Sequence, residues 1–111
     1  MAITPKRLVS GSQLTTSAAT YYTAVNAKAR IDAMVLVNTT GGAITATVYL
    51  VPSGGSAAAS NTILQTHSIA ANSEYVVPGA IGQWLEGGGT IQALASGATS
   101  ITLVASGVEY T

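Results

Sequence analysis

Apolar and polar residues alternate with a period of two along most of this chain. In residues 43–51, Ile44, Ala46, Val48 and Leu50 fall on one face while Thr45, Thr47 and Tyr49 fall on the other. Such alternation, rich in β-branched residues, predicts a half-buried strand. In the strand before it, Ala29, Ile31, Ala33, Val35 and Val37 share a face, with Lys28, Arg30 and Asp32 opposite. Met34 and Leu36 make the second face apolar too, which predicts cover on both sides of that strand's later half. Asn38-Thr39-Thr40-Gly41-Gly42 joins the two segments. Paired glycines supply the positive φ of a tight turn, so residues 29–51 read as a β-hairpin turning at Thr40-Gly41-Gly42.

Further strands are expected at residues 7–10, 19–24, 62–69, 74–77, 90–95 and 100–109. Gly11, Pro52-Ser53-Gly54-Gly55, Ala71-Asn72, Pro78-Gly79, Gly87-Gly88-Gly89 and Gly97 punctuate them. Ser56-Ala57-Ala58-Ala59-Ser60 reads as a crossing loop in preference to a helical turn. About eight short strands with almost no helical signal predict a single all-β domain over residues 1–111, an antiparallel β-sandwich or jelly roll.

Composition strengthens the fold and narrows the function. Hydrophobic residues make up 48% of the chain, which supports a packed core in spite of 12 glycines. Phe and Cys are absent, so the core is aliphatic, and thiol catalysis and thiolate metal sites are excluded. Only 7% of residues are charged and the formal net charge is zero, against about 25% charged in an ordinary soluble domain. Ser, Thr, Ala, Gly and Asn take the place of charge. A surface near neutrality tends to associate, so the composition describes a building block of an assembly. No apolar run approaches the length of a membrane span. The start of the chain, Met1-Ala2-Ile3-Thr4-Pro5-Lys6-Arg7, lacks the apolar stretch of a signal peptide. Manufacture in a cytoplasm is the expectation.

Candidate chemistry is sparse. Asp32, Glu74, Glu86 and Glu109 sit on different predicted elements, with no local mark of the carboxylate pair a glycosidase uses. Asp32 is expected to pair with Arg30 or Lys28. His67 stands without a ligand-like neighbour and reads as a surface or subunit-contact residue. Four cations balanced by four acids do not make a phosphate-tracking groove. We therefore expect no catalytic residue, no metal, no cofactor, and neither nucleic acid nor membrane as partner. Trp84 remains open between a core position, a subunit contact and a sugar-stacking platform. Tyr21 and Tyr22 are adjacent and would point to opposite faces of a strand, so one of them, with Tyr110, is expected to anchor a subunit contact.

The run Asn38-Thr39-Thr40-Gly41-Gly42-Ala43-Ile44-Thr45-Ala46-Thr47-Val48-Tyr49-Leu50-Val51-Pro52-Ser53-Gly54-Gly55 resembles a family of small β-rich phage-encoded virion proteins. Ala19-Thr20-Tyr21-Tyr22-Thr23-Ala24, Thr90-Ile91-Gln92-Ala93 and Ala105-Ser106-Gly107-Val108-Glu109 are similar to the same group. Its members often carry Gly-Asp before the Thr-Ile pair and Pro after Tyr-Thr-Ala. Here those places hold Gly88-Gly89 and Val25, and the first departure removes a turn-stabilising carboxylate. The resemblance implies a structural component of a tailed-bacteriophage virion and no catalytic residues. A capsid decoration or cement protein, located on the virion, fits best, with the major capsid protein, other virion proteins and further copies of this chain as partners. A tail, collar or fibre component, or a carbohydrate-binding module at the host-contact surface, is the alternative.

Overall fold

The computed structural model describes residues 2–111. Nine strands form: β1 (Ile3–Gln13), β2 (Ala19–Thr23), β3 (Lys28–Asn38), β4 (Ile44–Val51), β5 (Thr62–Ile69), β6 (Glu74–Val76), β7 (Trp84–Leu85), β8 (Thr90–Ala95) and β9 (Ile101–Tyr110). All pairings are antiparallel, and they build two sheets. The first runs β1-β9-β3-β6, with β7 also on β3, and the second runs β2-β8-β4-β5. The chain changes sheet at most connections, which is the interleaved order of a jelly roll. Single 3-10 turns occupy Ala59–Asn61 and Pro78–Ala80, so the stretch read as a loop ends in one such turn.

The core between the sheets is aliphatic. Leu14, Ile31, Met34, Leu36, Val48, Ile91, Ile101 and Leu103 are fully buried in it, and Tyr22 is the one buried aromatic. Ile101, Leu103 and Ala105 point inward from β9, and Ile91, Ala93 and Ala95 from β8. On β4, Ala46 and Val48 enter the core while Ile44 and Leu50 pack against it, as the alternation predicts.

Two expectations are corrected. The β3–β4 hairpin does not exist, because the two strands belong to different sheets. Both edges of β3 are already filled, by β9 on one side and by β6 and β7 on the other, so β4 has no edge to join. Residues 38–42 form a crossover instead, organised by the buried side chain of Asn38. Its Nδ2 donates to the Gly42 and Ile69 carbonyls at 2.8 and 3.0 Å. Its Oδ1 accepts from the Thr40 amide at 3.0 Å and the Thr40 hydroxyl at 2.7 Å. Gly41 and Gly42 adopt no positive φ; that conformation falls at Gly11, Gly54, Gly82 and Gly88.

The second correction concerns which face of β3 is buried. Ala29 and Ile31 point inward, but a bulge between Ile31 and Ala33 shifts the register against β9. Beyond it Met34, Leu36 and Asn38 are buried, while Ala33, Val35 and Val37 turn to the outer face and are half-buried. One extra residue exchanges the two faces of a strand.

Candidate functional site

Next to this bulge the surface carries a polar–aromatic cluster. Gly82, at φ +81°, turns the chain so that its amide donates to the Ile31 carbonyl at 2.7 Å. The Ile31 amide in turn donates to the Gln83 carbonyl at 2.9 Å. This clamps β7 onto β3 with Leu85 opposite Ala29 and Trp84 opposite Arg30. Alternation then buries Leu85 and leaves Trp84 49% exposed, which removes the core reading of that residue.

Arg30 lies beside the two aromatic rings. Its Nε donates to Asp32 Oδ1 at 2.9 Å and its Nη1 donates to the Tyr110 hydroxyl at 3.1 Å. The guanidinium carbon lies 6.0 Å from the Trp84 ring centroid, within cation–π reach. The Trp84 and Tyr110 rings are 5.3 Å apart, tilted by 36°. Hydrogen bonding to Asp32, then its charge, holds the Arg30 guanidinium above its ordinary pKa, so the guanidinium stays protonated. Beside Trp84 opens a cleft of about 400 Å³ whose walls include Leu50, Pro52, Asn61, Thr62 and Gln83. A smaller hollow of about 140 Å³ lies next to it, against Leu85 and Glu86. An aromatic face fixed by a hydrogen-bonded arginine is a pre-organised binding element, since little side-chain entropy remains to be lost.

The structure therefore brings two of the four expected contact residues, Trp84 and Tyr110, into one exposed cluster. It separates the other two from it. A bulge between Thr20 and Tyr22 breaks the alternation that should send one ring outward. Tyr22 is buried in the core and Tyr21 packs against it. The Tyr21 hydroxyl accepts from the Thr15 amide at 3.2 Å and donates to the Gln13 carbonyl at 3.5 Å. The Tyr22 hydroxyl donates to Glu109 Oε2. Burial, then the Glu109 carboxylate, holds that phenol well above its ordinary pKa.

Of the two partners expected for Asp32, Arg30 and Lys28, Arg30 takes it and Lys28 pairs with Glu86; the place of the Arg30–Asp32 pair beside the rings carries no local signal. The cluster joins three strands from distant parts of the sequence. His67 is half-buried and stacks on Tyr75, ring centroids 3.9 Å apart. Among the described residues no three of His, Asp and Glu come together as metal ligands would. No helix among them is long and apolar enough to cross a membrane.

The fold and site together define a jelly-roll β-sandwich carrying one exposed, arginine-braced aromatic cluster. Compared with protein-family models, curated proteins and solved structures, the chain matches none.

Proposed function

We propose that this chain is a structural protein of a tailed-bacteriophage virion, seated on the capsid as a decoration or cement protein. The supporting observation is where its charge goes. Lys6–Glu109, Lys28–Glu86 and Arg30–Asp32 form ion pairs at 3.5, 3.6 and 2.9 Å, which occupy six of the eight charged side chains. Little charge is left for steering ligands or repelling neighbours, and the rest of the surface is mostly small or uncharged polar residues, with Ile3, Val25, Val76, Ile81 and Trp84 as its exposed large hydrophobic side chains. Such a surface favours close, lasting contact with other proteins over diffusional capture of a charged substrate. The jelly roll is frequent in viral capsid domains, an analogy of fold alone. In this reading Trp84, held by Arg30 and Tyr110, docks on the major capsid protein and ties neighbouring subunits together without chemistry.

A second reading has an observation of its own. Jelly rolls also serve as lectins, and Trp84 beside a cleft with Asn61, Thr62 and Gln83 on its wall offers a ring for stacking on a sugar and amides for its hydroxyls.

One experiment separates the two. Particles lacking the protein are mixed with wild type or Trp84→Ala, sedimented, and heated while DNA release is followed. The cement reading expects wild type to bind and raise the release temperature. It expects a folded Trp84→Ala protein to bind at least about tenfold more weakly, since buried interfacial tryptophans commonly cost about 2 kcal/mol or more on truncation. Unchanged particle stability with lost adsorption to host cells overturns it in favour of sugar binding.

A further inference from the structure

We infer that the outer face of the β1-β9-β3-β6 sheet is a self-complementary surface that binds a second copy of this chain, two-fold and with the sheets crossed. The inference goes beyond the virion reading and concerns the part of this outer face where β6 pairs with residues 35–37 of β3; the Trp84 cluster lies further along the same face, where β7 pairs with residues 29–30. Arg7 and Glu74 are the two charged side chains outside the ion pairs described above, and both are exposed. Register places both on this outer face. Arg7 lies opposite Ser106, which lies opposite Ala33; Glu74 lies opposite Val37. Between them stretches an apolar centre, where Ser10, Val104, Val35 and Val76 form one row across the four strands. Val76 is 51% exposed, and Ala33, Val35, Val37 and Val104 are half-buried.

The positions of the two charges specify the partner's orientation. From the row of Ala33 to that of Val37 is about 13 Å along the strands, and from β1 to β6 is about 14 Å across them. The line joining Arg7 and Glu74 therefore runs at about 45° to the strands. A two-fold axis lying in the interface and perpendicular to that line sets Arg7 of each copy against Glu74 of the other. The same operation crosses the two sheets at about 90°, one of the two favoured packings of sheet on sheet, and puts the axis through the Val35–Val104 pair. An isologous contact of this kind needs one patch that complements itself, and a cation and an anion at opposite corners of a valine surface provide it. The crossed area is roughly 20 Å square, or about 800 Å² for both copies in projection. That lies below the range of stable specific interfaces, among small transient contacts whose association is weak and reversible. The corner ion pairs set orientation more than strength.

Sedimentation equilibrium of the purified protein, from about 10 µM to 1 mM, tests this. Wild type is expected to dimerise with a dissociation constant of roughly 100 µM, as a small interface implies. Arg7→Glu and Glu74→Arg are each expected to weaken the dimer at least about tenfold, because the symmetry makes each reversal act twice. The double reversal, Arg7→Glu with Glu74→Arg, is expected to recover wild-type association. Both sites are exposed, so circular dichroism and melting temperature should stay at wild-type values. A monomer throughout the concentration range overturns the inference, as does a double reversal no better than the single ones. Loss of particle binding by Arg7→Glu in a protein that never dimerises would assign the face to the capsid and overturn it too. Failure of the dimer leaves the Trp84→Ala particle assay unaffected, so the two readings fail separately.

Discussion

Gly107 faces the backbone of β3 at closer range than any side chain tolerates. A Cβ built there lies 2.0 Å from the Arg30 carbonyl oxygen and 3.1 Å from Leu8 Cδ1, where ordinary contact begins at 3.4 Å. The strands pair Gly107 with Ile31, next to the bulge at Asp32. Leu8, the extra residue of the bulge between Arg7 and Val9, packs beside the glycine. Gly107→Ala must open a gap of more than 1 Å between β3 and β9, the central pair of this sheet. Loss of about two ladder hydrogen bonds at about 1 kcal/mol each adds to about 1–3 kcal/mol for overpacking. The sum is roughly 3–5 kcal/mol, a large part of the roughly 5–15 kcal/mol available to a domain. At about 4 °C per kcal/mol for a domain of this size, the melting temperature should fall by roughly 12–20 °C.

Urea titration followed by Trp84 fluorescence, with thermal melts by circular dichroism, measures the change. Gly42→Ala serves as the control. Nothing lies within 4 Å of its added Cβ and its φ is not in the left-handed region. It should be neutral or stabilise by up to about 1 kcal/mol through the unfolded chain. A loss below about 1 kcal/mol for Gly107→Ala would mean that the bulge absorbs a side chain, and would refute the close-approach argument.

Two further outcomes are expected. Asn38→Asp places a carboxylate oxygen against the Gly42 and Ile69 carbonyls in place of a donating amide, and should cost about 3 kcal/mol at neutral pH by urea titration. Because the buried acid would hold its proton more tightly folded than unfolded, the deficit should shrink as pH falls; a pH-independent deficit would contradict the hydrogen-bond pattern. Tyr22→Phe removes the hydrogen bond to Glu109 and should cost about 1–2 kcal/mol. The Tyr22 phenol is raised when folded, so wild type should lose stability as pH climbs above the ordinary tyrosine value of 10.0. That loss should be smaller in Tyr22→Phe, and equal alkaline slopes would contradict the assignment.

How far the sequence could be read depends on how local each feature is. Period-two alternation is local, and it located residues 62–69 and 90–95 as the strands β5 and β8 with the same bounds. Partner choice is not local. Asn38-Thr39-Thr40-Gly41-Gly42 has the composition of a hairpin turn, and only the β9, β6 and β7 strands already flanking β3 exclude the hairpin. Tyr21 and Tyr22 obey alternation until a bulge lets both rings reach the core. The strand Trp84–Leu85 is two residues long, too short for any periodicity to mark. The Trp84, Arg30 and Tyr110 cluster therefore leaves no mark in the sequence beyond the ring chemistry of Trp84 and Tyr110.

β3 makes the physical point most sharply. Its sequence offers two apolar sets, Ala33, Val35 and Val37 on one phase and Met34 and Leu36 on the other, and a sandwich core accepts one. The bulge after Ile31 selects the larger, more flexible Met34 and Leu36 for the interior. The valines it turns outward follow strand preference, because branched side chains suit a pleated surface whichever way it faces. A solvated outer face works as well with Thr or Lys at such positions, and this chain already uses Thr102 and Ser106 on the same face of β9. Valine at 35, 37, 76 and 104 is therefore more apolar than the strand alone requires. Together with Arg7 and Glu74 at opposite corners, outside the ion pairs of the described residues, that surplus gives the outer sheet the character of a contact surface, and it explains why the strand read from sequence as covered on both sides.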